Sequence, residues 1–115
     1  MTIRRFPKII YPSSLKDVLG PDLLASLLRI SKKKLEIYSR KPETIPQEVF
    51  LRLAWMVEIV DVLRNAYNDT GIYQWFLRKR VQLGRRSPAQ VLKYNWLPGQ
   101  PNPLKVLVLA KSINT

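Results

Sequence analysis

The most apolar stretch of the chain is residues 46–67, where 12 of the 15 positions from 49 to 63 are apolar and only Arg52, Glu58 and Asp61 interrupt them. The pattern predicts a helix greasy on almost every side, which belongs either at the centre of the core or in an interface between copies. Upstream, Leu23, Leu24, Leu27 and Leu28 give the inner face of a shorter helix, Ile30 plugs a turn, and Leu35 with Tyr38 faces inward from the next helix. Downstream come "IYQWFLRKR", "AQVLKY" and "LKVLVLAKS". The last also suits a buried strand through "VLVLA".

Proline and capping residues place the boundaries, because Pro is tolerated in the first helical turn, where its missing N–H has no partner to lose. Ser14 is expected to cap a short helix over 14–19, with Asp17 completing a capping-box pattern and Gly20 ending it. Pro21 opens a helix over 21–28, and Ser31 caps a third over 32–40. The "YNDTG" stretch breaks the long apolar helix, with Asp69 or Thr70 capping the next, while Ser87-Pro88 and Asn102-Pro103 start two more. The fold class is all-α, a helix-turn-helix-containing bundle of six or seven helices. Neither a fixed-period repeat nor a low-complexity segment interrupts it, and "LPGQPNP" is the only linker-like stretch. The length, 115 residues, fits one compact unit with an N-terminal part, 1–68, and a C-terminal part, 69–115.

Charge sharpens this picture. Lys and Arg number 20 against 8 Asp and Glu, so the net charge is +12 and the pI about 10.4. Cut after Val57, each part carries +6, so no basic tail has been added to a neutral domain. Such a balance favours nucleic acid or another polyanion as partner. The chain contains no Cys and no His, which removes disulfides, zinc fingers, Cys or His nucleophiles and the usual neutral-pH proton shuttle. No metal and no cofactor is expected. "MTIRRFPKIIYP" is basic but lacks the apolar stretch of a secretory signal, and the charges inside 49–63 argue against a membrane span. A soluble, cytoplasmic protein is expected.

A helix-turn-helix works because its first helix braces the second, whose N-terminal residues enter the major groove while the helix N-terminus favours phosphate. Here 21–28 would brace 32–40, leaving Lys32, Lys33, Lys34, Glu36, Arg40 and Lys41 outward as candidate DNA-binding residues. Glu36, the one acid on that face, would read a cytosine amino group or penalise wrong sites. Arg29 stands where such turns usually carry a glycine for the left-handed backbone. Three lysines at a helix start oppose the positive end of the helix dipole and cost stability unless something anionic compensates. The competing reading of the triplet is a solvated charged face.

In residues 69–92, Trp75 and Phe76 read as core or interface, Leu83-Gly84 as a turn and Ser87-Pro88 as a helix start. "RKR" at 78–80 and "RR" at 85–86 put five cations within nine residues. They are a second phosphate-contacting patch, a contact for an acidic partner, or solvated charge.

The segments "LLASLLRISKKKLEIYSR" and "IPQEVFLRLAWMVEIVDVLRNAYN" resemble the N-terminal helical part of the Xre/MbcA/ParS antitoxin family. "GIYQWFLRKRVQLGRRSPAQVL" resembles that family's toxin-binding domain, in which a Trp precedes a Leu-Gly step, then Ser/Thr-Pro and Leu; Trp75, Leu83, Gly84, Pro88 and Leu92 fall in place. The resemblance spans about 21–109. It implies a non-enzymatic protein that dimerises, binds its operator DNA and masks a toxin, commonly of the RES type that consumes NAD. It carries the partner-binding role onto Trp75, Leu83, Gly84, Arg85, Arg86, Ser87 and Pro88.

Two other classes compete. An enzyme would depend on the carboxylates, of which Glu58 and Asp61 lie close on one helix, and Asp61 with Arg64 at the same spacing is a sufficient structural explanation. An RNA-binding regulator would use exposed rings among Tyr67, Tyr73, Trp75, Phe76, Tyr94 and Trp96, and the discriminator is how many of these are buried. The preferred reading is a non-enzymatic DNA-binding antitoxin-like protein; the alternative is a stand-alone DNA- or RNA-binding regulator. A homodimer is expected through Phe50, Leu53, Trp55, Met56 and Val60, because a single small domain offers little to cover so wide an apolar surface. Its two-fold axis would set two lysine-led helices about 34 Å apart.

Overall fold

Helix follows helix in the order α1 (Pro12–Leu28), α2 (Lys32–Arg40), α3 (Gln47–Leu63), α4 (Asp69–Leu77), α5 (Pro88–Val91) and α6 (Pro101–Ser112). This is a computed structural model, and it describes residues 12–93 and 95–113. The expectations for the N-terminal "MTIRRFPKIIY" and for Tyr94 lie outside the described residues. The fold is all-α, and the segment 104–110 that also suited a strand is helical.

The break expected at Gly20 is present, at φ 79° and ψ 156°, so α1 is two helical pieces joined at one residue. A β-carbon built there meets no heavy atom within 4 Å, so backbone freedom alone selects the glycine. The first piece begins at Pro12 rather than behind a Ser14 cap, since a proline at the first helical position starts a helix by itself. Two later starts also differ from expectation. Asn68, not Asp69 or Thr70, caps α4 by accepting from the Gly71 N–H at 2.8 Å. α6 starts at Pro101, two residues before Pro103, with the Gln100 side chain turned back to the Leu97 N–H at 2.8 Å. α3 ends at Leu63 rather than near Tyr67, and a hydrogen-bonded turn carries the chain on through Ala66.

The apolar helix α3 is covered from within the chain. Val49, Leu53, Met56, Ile59, Val60 and Leu63 are buried, facing α1 and α6. α6 returns Val106, Leu107 and Ala110 to the same core, and the Trp55 indole N–H donates to the Pro103 carbonyl at 3.2 Å. Of the expected interface, Leu53, Met56 and Val60 are therefore core, Trp55 is half-buried against α6, and Phe50 is left outside at 42% exposure beside Leu51 at 41%. A second copy is not needed to cover this helix: α6, which closes over it, lies some 50 residues on.

Arg52 is the exception inside that core. It is 4% exposed, its Nε donates to the Trp96 carbonyl at 2.8 Å, and its terminal nitrogen pairs with Glu48 at 2.9 Å one turn back. Trp96 is itself buried and donates from its indole nitrogen to the Leu27 carbonyl at 2.9 Å. Three distant parts of the chain, the end of α1, the middle of α3 and the approach to α6, thus meet at one ring.

Candidate nucleic-acid interface

The turn between α1 and α2 is built from its backbone outward. The Arg29 N–H donates to the Ser26 carbonyl and the Ile30 N–H to the Ala25 carbonyl, at 3.2 and 3.0 Å, the paired bonds of a Schellman ending. The residue between them must be left-handed, and Arg29 is, at φ 62°. A non-glycine residue there costs on the order of 1–2 kcal/mol. Ile30 is half-buried against the core, as the sequence predicts, and the Arg29 side chain is exposed three residues ahead of Lys32.

Ser31 caps α2, its hydroxyl accepting from the Lys34 N–H at 3.1 Å. Leu35 and Tyr38 are buried, whereas Lys32, Lys33, Lys34, Glu36, Arg40 and Lys41 are all exposed. Lys32 reaches back to Asp22 on α1 at 3.0 Å, but both side chains are mostly in water, so the pair contributes little. Lys33 and Lys34 have no ion pair among the described residues. Between α1 and α2 lies an open cleft of about 760 Å³, with Lys16, Lys32 and Lys33 on its walls opposite Asp17 and Glu36. Lys16 belongs to this cationic edge although sequence spacing did not single it out as DNA-binding, because only the fold brings the first piece of α1 beside α2.

In the C-terminal part, residues 78–86 form a small hairpin-like loop. Arg80 and Arg86 face each other as an isolated antiparallel bridge, with the Arg80 N–H donating to the Arg86 carbonyl at 3.1 Å. The Arg85 N–H closes the loop on the Arg80 carbonyl at 2.8 Å. Gly84 and Arg85 are both left-handed, at φ 68° and 65°. Trp75, Leu83, Ser87 and Pro88 are buried, so of the seven residues expected to meet a partner only Gly84, Arg85 and Arg86 are exposed. Ser87 serves the start of α5 in a full capping box with Gln90. The Arg86 Nε donates to the Leu83 carbonyl at 3.2 Å, and the 82–83 side of the loop lies along α6 across an open groove.

The Arg80 guanidinium carbon lies over the Trp75 ring, 5.0 Å from its centroid. Burial pushes its guanidinium below the ordinary arginine value; Tyr67 opposes that shift and the Arg78 charge adds to it. Both the Arg80 Nε and the Trp75 indole N–H are buried without a hydrogen-bond acceptor. The other rings divide clearly. Trp75, Phe76 and Trp96 are core, while Tyr67 and Tyr73 are near 40% exposed. Of the five such rings among the described residues, three are therefore inside the protein and two are available for stacking.

The two carboxylates weighed for catalysis also have structural surroundings. Glu58 faces Lys111 at 3.7 Å, and Arg64 pairs with Asp69 at 3.0 Å. Among the described residues no three His, Cys, Asp or Glu side chains gather in one place, and no helix is long and apolar enough to cross a membrane. Neither a protein-family model, nor a curated protein, nor a solved structure matches this chain.

Proposed function

We propose that this protein binds duplex DNA through the outward edge of α2, acting by affinity and occupancy rather than by chemistry. One observation supports it above the others: the face of α2 opposite Leu35 and Tyr38 is exposed over its whole length and carries Lys32, Lys33, Lys34, Glu36, Arg40 and Lys41, behind a turn held left-handed by Arg29. Duplex phosphates compensate three lysines placed against the helix dipole. The lysines and Arg40 hold the backbone, and Glu36 discriminates among bases. Two copies pair through Phe50 and Leu51, the large apolar residues that α3 leaves outside.

The antitoxin half of the resemblance retains a smaller surface, because burial takes Trp75, Leu83, Ser87 and Pro88 out of a partner's reach. The reading adopted is a DNA-binding regulator. Changing Lys32 and Lys33 to Ala should weaken binding to all duplex sequences and flatten the salt dependence by about 0.9 log–log units for each phosphate no longer neutralised. An unchanged slope would place the DNA elsewhere on the protein.

A further inference from the structure

We propose that the loop 78–86 is a second phosphate-binding surface, which grips the duplex backbone through Arg78, Arg85 and the guanidinium of Arg80 independently of α2. It takes the partner from the reading above but none of its residues.

Five cations share this loop, and among the described residues none of them has a carboxylate partner. The loop holds them together rather than letting them separate, since the bridge between Arg80 and Arg86 and the bond from Arg85 to Arg80 set the two arginine-bearing arms side by side. Like charges fixed at this spacing repel one another in the free protein, and a polyanion relieves that repulsion. Arg80 makes the case more specific. Its position is fixed by an indole ring instead of a carboxylate, so although its Nε is buried, its orientation spends no hydrogen bond of the terminal nitrogens. Arg85 adds a strained backbone, left-handed in a residue without that preference, whose side chain nevertheless points to solvent.

The cations are spread along two arms rather than converging on one point, which fits the repeated charges of a nucleic-acid backbone. Four of the five are arginine, whose planar fork takes phosphate oxygens in pairs.

The test is fluorescence anisotropy with a labelled duplex, titrated between about 50 and 200 mM salt, on wild type, R78A/R85A, R78K/R85K and K32A/K33A. The expected result is that R78A/R85A flattens the log–log slope by about 1.8 units, while R78K/R85K keeps the wild-type slope and all variants melt with the wild type. Wild-type slope and affinity in R78A/R85A would overturn the proposal. So would an equal loss in R78K/R85K, which would make the arginines structural, or loss of binding to an acidic protein with DNA binding intact. A slope that falls only in R78A/R85A would keep the loop and refute the α2 reading, whereas a fall only in K32A/K33A would do the reverse.

Discussion

The guanidinium of Arg52 donates to the backbone carbonyl of Trp96 at 2.8 Å, across 44 positions of sequence. A cation in the middle of the most apolar helix is stable only because that carbonyl and Glu48 satisfy it, and because Trp96 is itself tied to Leu27. The end of α1 and the start of α3 are thus anchored to the C-terminal part through two polar interactions inside the core.

Replacing Arg52 by Met should keep the volume but leave the Trp96 carbonyl buried without a donor. We expect a loss of about 1–3 kcal/mol, read as a lower urea midpoint at unchanged m-value. DNA affinity of the folded protein should stay at the wild-type value, since Arg52 is buried away from the α2 face.

Arg29 should separate stability from binding. Arg29→Gly removes left-handed strain of about 1–2 kcal/mol and adds about 0.5–1 kcal/mol of unfolded-state entropy cost, for a net gain near 0.5–1 kcal/mol. It also removes a cation beside α2, so the melting temperature should rise while DNA affinity falls. A higher melting temperature with unchanged DNA affinity would show that Arg29 serves the turn alone.

Gly84→Val should cost about 1–2 kcal/mol through backbone strain. No steric component is expected, because a β-carbon at Gly84 meets nothing within 4 Å. Thermal unfolding of Gly84→Val beside Gly84→Asn, which tolerates the left-handed region, measures this directly; equal losses would argue against φ as the cause.

Phe50→Asp together with Leu51→Asp should abolish self-association in light scattering and leave unfolding within about 0.5 kcal/mol of wild type. Leu53→Ala, by contrast, should cost about 2–5 kcal/mol as a core cavity without changing the mass of the folded species. A wild type that scatters as a monomer at all concentrations would remove the dimer.

Glu36→Ala should leave overall affinity equal or higher, because it removes a negative charge from a face that approaches phosphates. Its effect should lie in discrimination, with the difference between preferred and scrambled duplexes shrinking by about 1–3 kcal/mol. An unaltered preference would end the proposed role of Glu36.

Signals contained within a few residues were legible in the sequence. Ser31 before α2, Ser87-Pro88 before α5, Gly20 as a break and the inward pair Leu35 and Tyr38 all read correctly, because each depends on bonds or packing one turn away. Where two such signals compete within three residues, as at Asn68, Asp69 and Thr70, spacing alone does not decide which oxygen reaches the free N–H. The covering of α3 was not legible, since it is supplied by α6, nor was the burial of Leu83 and Pro88, which depends on how the loop 78–86 folds over α4 and against α6. The left-handed Arg29 runs against residue preference, and only the Schellman bonds around it explain the conformation.

The bond from Trp96 to Leu27 spans 69 residues and has a consequence for synthesis. On the ribosome α1 and α2 emerge before Trp96, so the carbonyl at the end of α1 waits for an indole made 69 residues later. The end of α1, which leads into the turn before α2, therefore lacks one of its polar partners until Trp96 has been made. On the proposal that α2 reads DNA, products cut short before Trp96 should bind phosphates without discriminating among sites.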